Sequence, residues 1–324
     1  MTNMKKIGLS ALAGSLAMFS VNADIALSGS AEMTYTNNHS EASGSSVTGN
    51  PFGMSHDINI TGTGELENGY AYSVNSNFAG QDMGHDSAIL KLDMGDLGTL
   101  GFDQGSGAFG IGTLENKVPT AYEEADHGVG TLAHGIDAEG DTSVIGYSNT
   151  FSGVGVSVEI NPVAGGTAVK EAGGVSGAGA LASNYNYALS YEAYEGLTLN
   201  YGGSQTDVKA ATGLDRSEST IAANYVMGAV SVGVQMSNVE SGNSATAQEI
   251  QAYGLAFNVN DQLSVSFNRN DNEQAGVTEE STGVNAAYSM GSASVRLSIN
   301  EADNVGGVSA TKAENTELSI SLAF

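Results

Sequence analysis

The sequence predicts an all-β protein, a 16-stranded antiparallel up-and-down transmembrane β-barrel with one loop folded inward. Three observations lead to this fold class. Apolar and polar residues alternate with period two along most of the chain, helical periodicity is nearly absent, and short and long connections alternate between the predicted strands. This alternation of connection lengths places every long loop at one end of the barrel and every tight turn at the other.

The strand prediction depends on side chains that alternate between two faces. In residues 293–300, Val295, Leu297 and Ile299 share one face, while serine, arginine and asparagine occupy the other. Each predicted segment has roughly the ~9–11 residues that a tilted transmembrane strand needs. The segments lie near residues 24–36, 54–64, 69–78, 86–94, 97–103, 142–151, 154–161, 183–193, 196–206, 215–227, 229–239, 248–259, 262–270, 281–290, 292–301 and 315–324.

The connections between these segments favour a barrel over a soluble β-sandwich. A sandwich would also show alternating residues, but it has no reason to separate its loops by length so regularly. Tight turns are predicted at 65–68, 95–96, 152–153, 194–195, around 228, 260–261 and at 291. Long polar connections are predicted near 37–53, 79–85, 104–141, 162–182, 207–214, 240–247, 271–280 and 302–314.

The composition excludes several classes of function. The chain has 324 residues with 44 Gly, 3 Pro and no Cys, so neither disulfides nor thiolate chemistry are available. The net charge of −26 repels phosphate backbones, and we therefore expect no nucleic-acid partner. A solvated acidic surface would explain the same charge until the acidic residues are placed.

The first 23 residues have the pattern of a secretory signal peptide. Lys5 and Lys6 precede an apolar stretch, and a small-residue cleavage site ends at Ala23. We expect the barrel domain to span residues 24–324. No later stretch reaches the ~18 consecutive apolar residues of a membrane helix.

Aromatic residues are predicted to form two girdles on the barrel. Tyr and Phe lie toward the strand ends, whereas the mid-strand apolar residues are small or aliphatic. Amphipathic rings prefer the two headgroup levels of a membrane. The predicted girdle residues are Tyr35, Tyr70, Tyr72, Phe78, Tyr147, Phe151, Tyr191, Tyr201, Tyr225, Phe257, Tyr288 and Phe324.

The longest connection, about residues 104–141, is polar, acidic and rich in glycine. A structureless loop of this length is usually functional or disordered. Its residues 105–110 match the GxGxxG template, but no helix or βαβ unit follows, so the glycines indicate a bend and not a dinucleotide site. We predict that the loop folds into the lumen and sets what can pass.

Four stretches of the chain resemble the general diffusion porins of Gram-negative outer membranes. They are residues 24–35, 65–70 and 98–105, and the C-terminal Phe324. The resemblance implies an outer-membrane homotrimer in contact with lipid, in which each protomer is a water-filled pore for small hydrophilic solutes. It also implies that Phe324 is similar to a signal read by the barrel-assembly machinery. One departure is Asp103, where the family often has arginine.

Strand parity predicts the residues of the pore. Lys91 is the only base among the lumen-facing residues of the early strands, which also include Asn59, Ser73, Asn75 and Asp93. A throat lined by acidic residues favours cations, so we expect cation preference. The predicted constriction residues are Glu115, Glu123, Glu124, Asp126, Lys117, Lys91, Glu32, Asp57 and Asp103.

The same acidic loop also contains residues that could serve other kinds of site. The acidic run at residues 122–126 could suggest catalytic carboxylates, but no partner base or nucleophile is identifiable, so we expect no enzyme. No cofactor is expected. Asp137, Glu139 and Asp141 are candidate Ca²⁺ ligands, although they lack the full twelve-residue loop pattern. The histidines His127 and His134 are expected to be solvated.

Two alternative functions remain open at this level. A substrate-specific outer-membrane channel would need a ligand track such as an inward row of aromatic residues, and none is visible in the sequence. A surface or adhesive β protein without a pore would also be exported, acidic and rich in strands.

Overall fold

The computed structural model describes residues 24–41, 46–47, 49–130, 132, 136, 142–162, 181–208, 215–241 and 246–324. The predicted signal peptide therefore lies outside the described residues. The structure is an all-β barrel in which sixteen strands pair antiparallel with their neighbours along the chain. None of the helices in the described part of the chain has the length and apolar character of a membrane-spanning helix.

The sixteen barrel strands confirm the predicted number and order. A two-residue strand, Ser46–Val47, adds to the outer end of the first strand. The barrel strands are β1 (Asp24–Ser40), β2 (Phe52–Glu65), β3 (Ala71–Gly80), β4 (Gly84–Asp93), β5 (Thr99–Gln104), β6 (Thr142–Phe151), β7 (Val154–Asn161), β8 (Leu181–Tyr194), β9 (Leu197–Val208), β10 (Arg216–Met227), β11 (Val230–Ser241), β12 (Gln248–Asn258), β13 (Leu263–Gln274), β14 (Val277–Met290), β15 (Ala293–Asp303) and β16 (Lys312–Ala323).

The barrel closes because β1 pairs with both β2 and β16. At this seam the Phe324 amide donates to the Gly29 carbonyl at 2.9 Å, and the Gly29 amide donates to the Phe324 carbonyl at 3.0 Å. The Phe324 ring lies over Gly29, where a Cβ atom would come within 2.9 Å of the ring. The C-terminal residue thus continues the ladder beyond β16 and completes the closure.

The two faces of the wall have opposite polarity. Apolar side chains such as Leu90, Phe267 and Val284 are exposed on the outside. Polar side chains such as Asn268 and Asn285 alternate with them and are buried inside the barrel. Because strand side chains alternate with period two, this separation follows directly from the sequence pattern. An apolar outer face with a polar interior is the arrangement of a barrel that spans a membrane.

Two predicted long connections are shorter in the structure. The loop predicted at 271–280 is a two-residue turn, Ala275 and Gly276, and both residues have positive φ (52° and 82°). Positive φ at both central residues is the backbone of a type I′ hairpin turn. Likewise only three residues, 81–83, separate β3 from β4. In both cases the strands continue beyond the apolar outer surface of the barrel. There the hydrogen bonds between strands persist, but neither face of the sheet needs apolar side chains, so the sequence is polar.

Candidate functional site

The long connection after β5 turns into the barrel at Asp103. The Asp103 carboxylate is fully buried and accepts hydrogen bonds from the Ser106 amide (2.8 Å), the Ser106 hydroxyl (2.7 Å) and the Ala108 amide (3.1 Å). Gly105 and Gly107 have φ of 84° and 63°, which residues with a Cβ atom rarely adopt. Asp103 therefore holds the bend that directs the loop inward.

Phe109 docks the start of the loop on the inner wall. Its ring is 1% exposed and lies against Gly101 of β5 and Gly146 of β6, where a Cβ atom on either glycine would overlap the ring. The Lys91 ammonium lies 5.6 Å from the ring centroid, within range of a cation–π interaction. The two glycines thus create the space that the aromatic ring fills.

Two apolar clusters fix the loop at separate points. In the first cluster, Ile111 and Leu114 near the start of the loop pack with Ile136 near its end and with Ala188 of β8. In the second, Val129 from the middle of the loop packs with three apolar residues near the ends of β15 and β16, which are Ala302, Val305 and Ala313. Full burial of one large aliphatic side chain contributes roughly 1.5–3 kcal/mol. The loop is therefore held by packing on opposite parts of the wall.

Between these clusters, polar wall side chains bind the loop backbone. Gln235 accepts from the Lys117 amide and donates to the Leu114 carbonyl, both at 2.7 Å. Asn285 accepts from the Glu123 amide at 3.2 Å and donates to the Glu123 carbonyl at 3.0 Å. We call six of the wall residues that make such bonds, all on β11 to β16, the polar ladder; its members are Gln235, Ser266, Asn268, Asn285, Asn300 and Asn315.

The polar ladder explains why so many amides face inward on β13 to β16. The loop backbone has no neighbouring strand to bond with, and the asparagine side chains of the wall supply these hydrogen bonds instead. The buried polar groups of the loop and of the wall therefore satisfy one another. Asn300, for example, donates to the Glu124 carbonyl at 2.7 Å and to the Ala125 carbonyl at 3.0 Å. With the Gly110 amide bound to Ser157 of β7 and the Gly128 carbonyl bound to Asn38 of β1, the loop follows the inside of the wall from β7 to β1.

A cluster of charged side chains joins the loop to the seam region of the wall. We call it the latch cluster; its members are Glu32, Tyr122, Glu123, His127, Arg296 and Glu317. The Tyr122 hydroxyl donates to Glu317 Oε1 at 2.7 Å, and the same hydroxyl oxygen lies 3.1 Å from Glu32 Oε1. Arg296 donates to Glu32 Oε1 at 2.7 Å, and its guanidinium carbon lies 4.4 Å from the centre of the Tyr122 ring.

His127 lies between loop and wall in this cluster. Its Nδ1 is 3.2 Å from Glu123 Oε2, and its Nε2 is 3.4 Å from Glu317 Oε2. The Glu317 side chain is 11% exposed, whereas those of Glu123 and His127 are 27% and 35% exposed. His127 is therefore not simply solvated, as the sequence had suggested, because a wall residue far along the chain approaches it.

The environment of the loop shifts the pKa values of its titratable groups. The hydrogen bond with Glu317 raises the pKa of His127, and the nearby Glu123 adds to this effect. Burial raises the pKa of the Glu123 carboxyl, partly offset by His127, and burial also raises the pKa of the Tyr122 hydroxyl. Burial lowers the pKa of Lys117. The surrounding carboxylates thus favour a positive charge on His127.

The predicted constriction residues occupy different surroundings. Glu32 and Glu123 meet in the latch cluster. Glu115 is exposed, Glu124 is half-buried and Asp126 is buried, all on the loop. Asp57 lies apart on β2, where it accepts from Asn59 (2.6 Å) and Asn77 (3.0 Å). Asp103 holds the loop bend. The Ca²⁺ candidates Asp137, Glu139 and Asp141, and also His134, lie outside the described residues.

The two predicted lysines line cavities at the end of the barrel that carries the tight turns. Lys117 lines a cavity of about 490 Å³ between the loop and the strands from β5 to β9. Lys91 lines a second, of about 460 Å³, beside β2 to β5. The two lysines therefore lie at that end of the barrel, and Glu65 and Asp93 line the second cavity together with Lys91.

Sequence reasoning missed four members of the latch cluster as site residues: Tyr122, His127, Arg296 and Glu317. Parity could have found Arg296, because it occupies the polar face of a strand whose alternation is clear. Glu317 shares the inward face of β16 with Asn315 and Ser319, and the same rule applies to it. Their proximity to the loop had no signal in the sequence.

The fold and the inner wall define the protein as a β-barrel channel of the outer membrane. The sequence profile of the Gram-negative porin family matches residues 8–324, and the chain belongs to that family. The family and the fold are those of channels and not of enzymes. A comparison with curated protein sequences gave no match.

Solved structures with the same fold include two bacterial porins and a further outer membrane protein. An anion-selective porin from Comamonas acidovorans has a TM-score of 0.67 at 14% identity, over 93% of this chain and 100% of that chain. An outer membrane protein of Vibrio cholerae, OmpT with loop L8 deleted, has a TM-score of 0.63 at 15% identity, covering 94% and 100%. A mutant porin from Rh. blastica has a TM-score of 0.60 at 14% identity, covering 93% and 100%. These similarities establish the fold.

Proposed function

We propose that the protein is a cation-preferring general porin for small hydrophilic solutes, in which the loop after β5 forms the constriction. The observation that carries this proposal is the excess of carboxylates on the surfaces that face the lumen. Among the described residues, the latch cluster combines three carboxylates with one arginine and one histidine. A ring of acidic groups lowers the energy of a cation in a pore and raises that of an anion.

The other charged side chains that face the lumen also favour cations over anions. Lys91 and Lys117 face the cavities at the turn end, and Arg216 of β10 forms an ion pair with Glu218. Further inward carboxylates on the described wall include Asp57, Asp93, Glu159 and Glu279. Low-dielectric walls focus the field of such charges into the water-filled space. The anion-selective porin from Comamonas acidovorans is an example of the opposite preference on the same fold.

The remaining features of the proposal concern the assembly. We propose a homotrimer with one pore in each protomer, surrounded by outer-membrane lipid. The exposed aromatic side chains near the strand ends support contact with headgroups, since amphipathic rings prefer that depth. We further propose that residues 1–23 direct export and that the aromatic C-terminus, Phe324, is recognised by the barrel-assembly machinery.

The experiment is single-channel recording of the purified protein in a planar bilayer under a KCl gradient. Conductance steps in groups of three and a reversal potential on the K⁺ side support the proposal. A reversal potential on the Cl⁻ side would refute the proposed charge preference while leaving the channel intact. Folded protein without conductance would refute the general pore and favour a surface protein.

A further inference from the structure

The latch cluster contains three groups that are ligands of first-row transition metals. One ligand atom each from Glu123, His127 and Glu317 lies within 4.8 Å of the other two. An imidazole with two carboxylates suits Zn²⁺ and similar ions, whereas Ca²⁺ and Mg²⁺ prefer oxygen ligands alone. The sequence did not indicate this site, because Glu317 is 190 residues away from His127.

The distances are close to those that a bound metal would need. Zn²⁺ bonds of about 2.0–2.2 Å in a tetrahedral site place neighbouring ligand atoms roughly 3.3 Å apart. His127 Nε2 and Glu317 Oε2 are already 3.4 Å apart. Glu123 Oε2 lies 3.2 Å from the other ring nitrogen, and one ligand atom of Glu123 lies within 4.8 Å of those of His127 and Glu317, so Glu123 has to move closer to complete the set.

The wall ligand is oriented by its own hydrogen bonds. The Glu317 Oε1 atom accepts from the Tyr122 hydroxyl at 2.7 Å, and its Oε2 atom accepts from the Thr36 hydroxyl at 3.1 Å. Partners of this kind fix the direction of a metal-binding carboxylate and raise metal affinity. Glu317 is therefore held from the wall by Thr36 of β1 and from the loop by Tyr122.

Charge and access also suit a dication. Glu32, Glu123 and Glu317 together outweigh Arg296, the only arginine of the cluster, so the cluster attracts positive ions. His127 and Glu123 are partly exposed, which gives an ion from the lumen a route to the site, while Glu317 closes the site from the wall side. A fourth position would be filled by water, as in zinc sites with three protein ligands.

We propose that Glu123, His127 and Glu317 bind one Zn²⁺-type ion per chain and that this ion ties the loop to β16. A metal here replaces the hydrogen bond between His127 and Glu317 by two metal bonds, and it adds positive charge to the constriction. Bound Zn²⁺ therefore reduces K⁺ conductance. The binding part of the inference is independent of the proposed ion preference, whereas the effect on conductance depends on the proposed constriction.

The test is Zn²⁺ binding to the folded, detergent-solubilised protein, measured by isothermal titration calorimetry with ZnCl₂. We expect one site per chain that persists in excess Ca²⁺. His127→Asn and Glu317→Gln should each weaken binding at least tenfold. The control His85→Ala changes a histidine near the start of β4, outside the latch cluster, and it should bind as the unmodified protein does.

The heat-induced shift of each variant on a gel shows whether it has folded. If the wall variant Glu317→Gln does not fold, the loop variant Glu123→Gln removes a different ligand and should also weaken Zn²⁺ binding. Absence of Zn²⁺ binding, equal binding by the His127 variant, or displacement by equimolar Ca²⁺ would each overturn the proposal. Zn²⁺ binding that leaves the K⁺ conductance unchanged would support the metal site but would show that the site does not lie in the ion path.

Discussion

The docking of the loop can be weakened at one wall residue without altering any charge. Asn285→Ala removes both hydrogen bonds between this side chain and the peptide of Glu123, at 3.2 Å and 3.0 Å. Each bond contributes about 1 kcal/mol net, so loop docking should weaken by about 2 kcal/mol. Since 1.4 kcal/mol corresponds to a factor of ten, the undocked fraction should rise roughly 30-fold.

Hydrogen exchange measures this change directly. Amide exchange in a peptide spanning residues 118–126 should accelerate by a similar factor in the Asn285→Ala protein, together with larger current fluctuations in single channels. The matched control is Asn77→Ala, which also removes two hydrogen bonds, to Asp57 (3.0 Å) and Asn59 (3.1 Å), but only within the wall. Unchanged exchange in Asn285→Ala, or equal acceleration in the control, would refute the role of the polar ladder.

Three further substitutions test other parts of the structure. Arg296→Ala removes the guanidinium from the latch cluster, so the K⁺ to Cl⁻ permeability ratio from reversal potentials should increase; a decrease would contradict the placement of this charge. Gly146→Ala adds a methyl group that would overlap the Phe109 ring, so it should destabilise the barrel by about 1–3 kcal/mol and lower the unfolding temperature on heat-shift gels. The control Gly155→Ala should leave that temperature unchanged, because the atom nearest to the added methyl group would be 3.6 Å away. Asp103→Asn weakens the hydrogen bonds of the loop bend and should lower stability with little change in selectivity; a large loss of cation preference would show that this buried carboxylate acts on passing ions.

The strands were predictable because their pattern is local. An exposed apolar face and a buried polar face impose period two on each strand, and Val295, Leu297 and Ile299 show this directly. The prediction failed where that constraint ends. At 271–280 the strands continue through polar residues above the apolar belt, so a hairpin around Ala275 had the composition of a loop.

The contacts of the site could not be predicted in the same way. Parity gives the face on which Glu317 or Gln235 lies, but not which loop residue reaches it. The bond between Tyr122 and Glu317 spans 195 residues, and that between Lys117 and Gln235 spans 118. Only the closed barrel brings such residues together. The bend at residues 105–110 was predictable, because several glycines in a short polar segment permit it.

The proposed function requires that the loop after β5 lies in the ion path and that the electrostatic potential along this path is negative. The absence of cysteine allows a direct test with a single introduced thiol, Ala121→Cys, on the docked part of the loop. A control thiol, Val308→Cys, lies in the exposed connection between β15 and β16.

The measurement is the rate at which cationic and anionic methanethiosulfonate reagents modify each thiol while single-channel current is recorded. We expect the cationic reagent to react faster at Ala121→Cys and to reduce the current in three equal steps, with no such block at Val308→Cys. Faster reaction of the anionic reagent, or modification at residue 121 without a change in current, would contradict it.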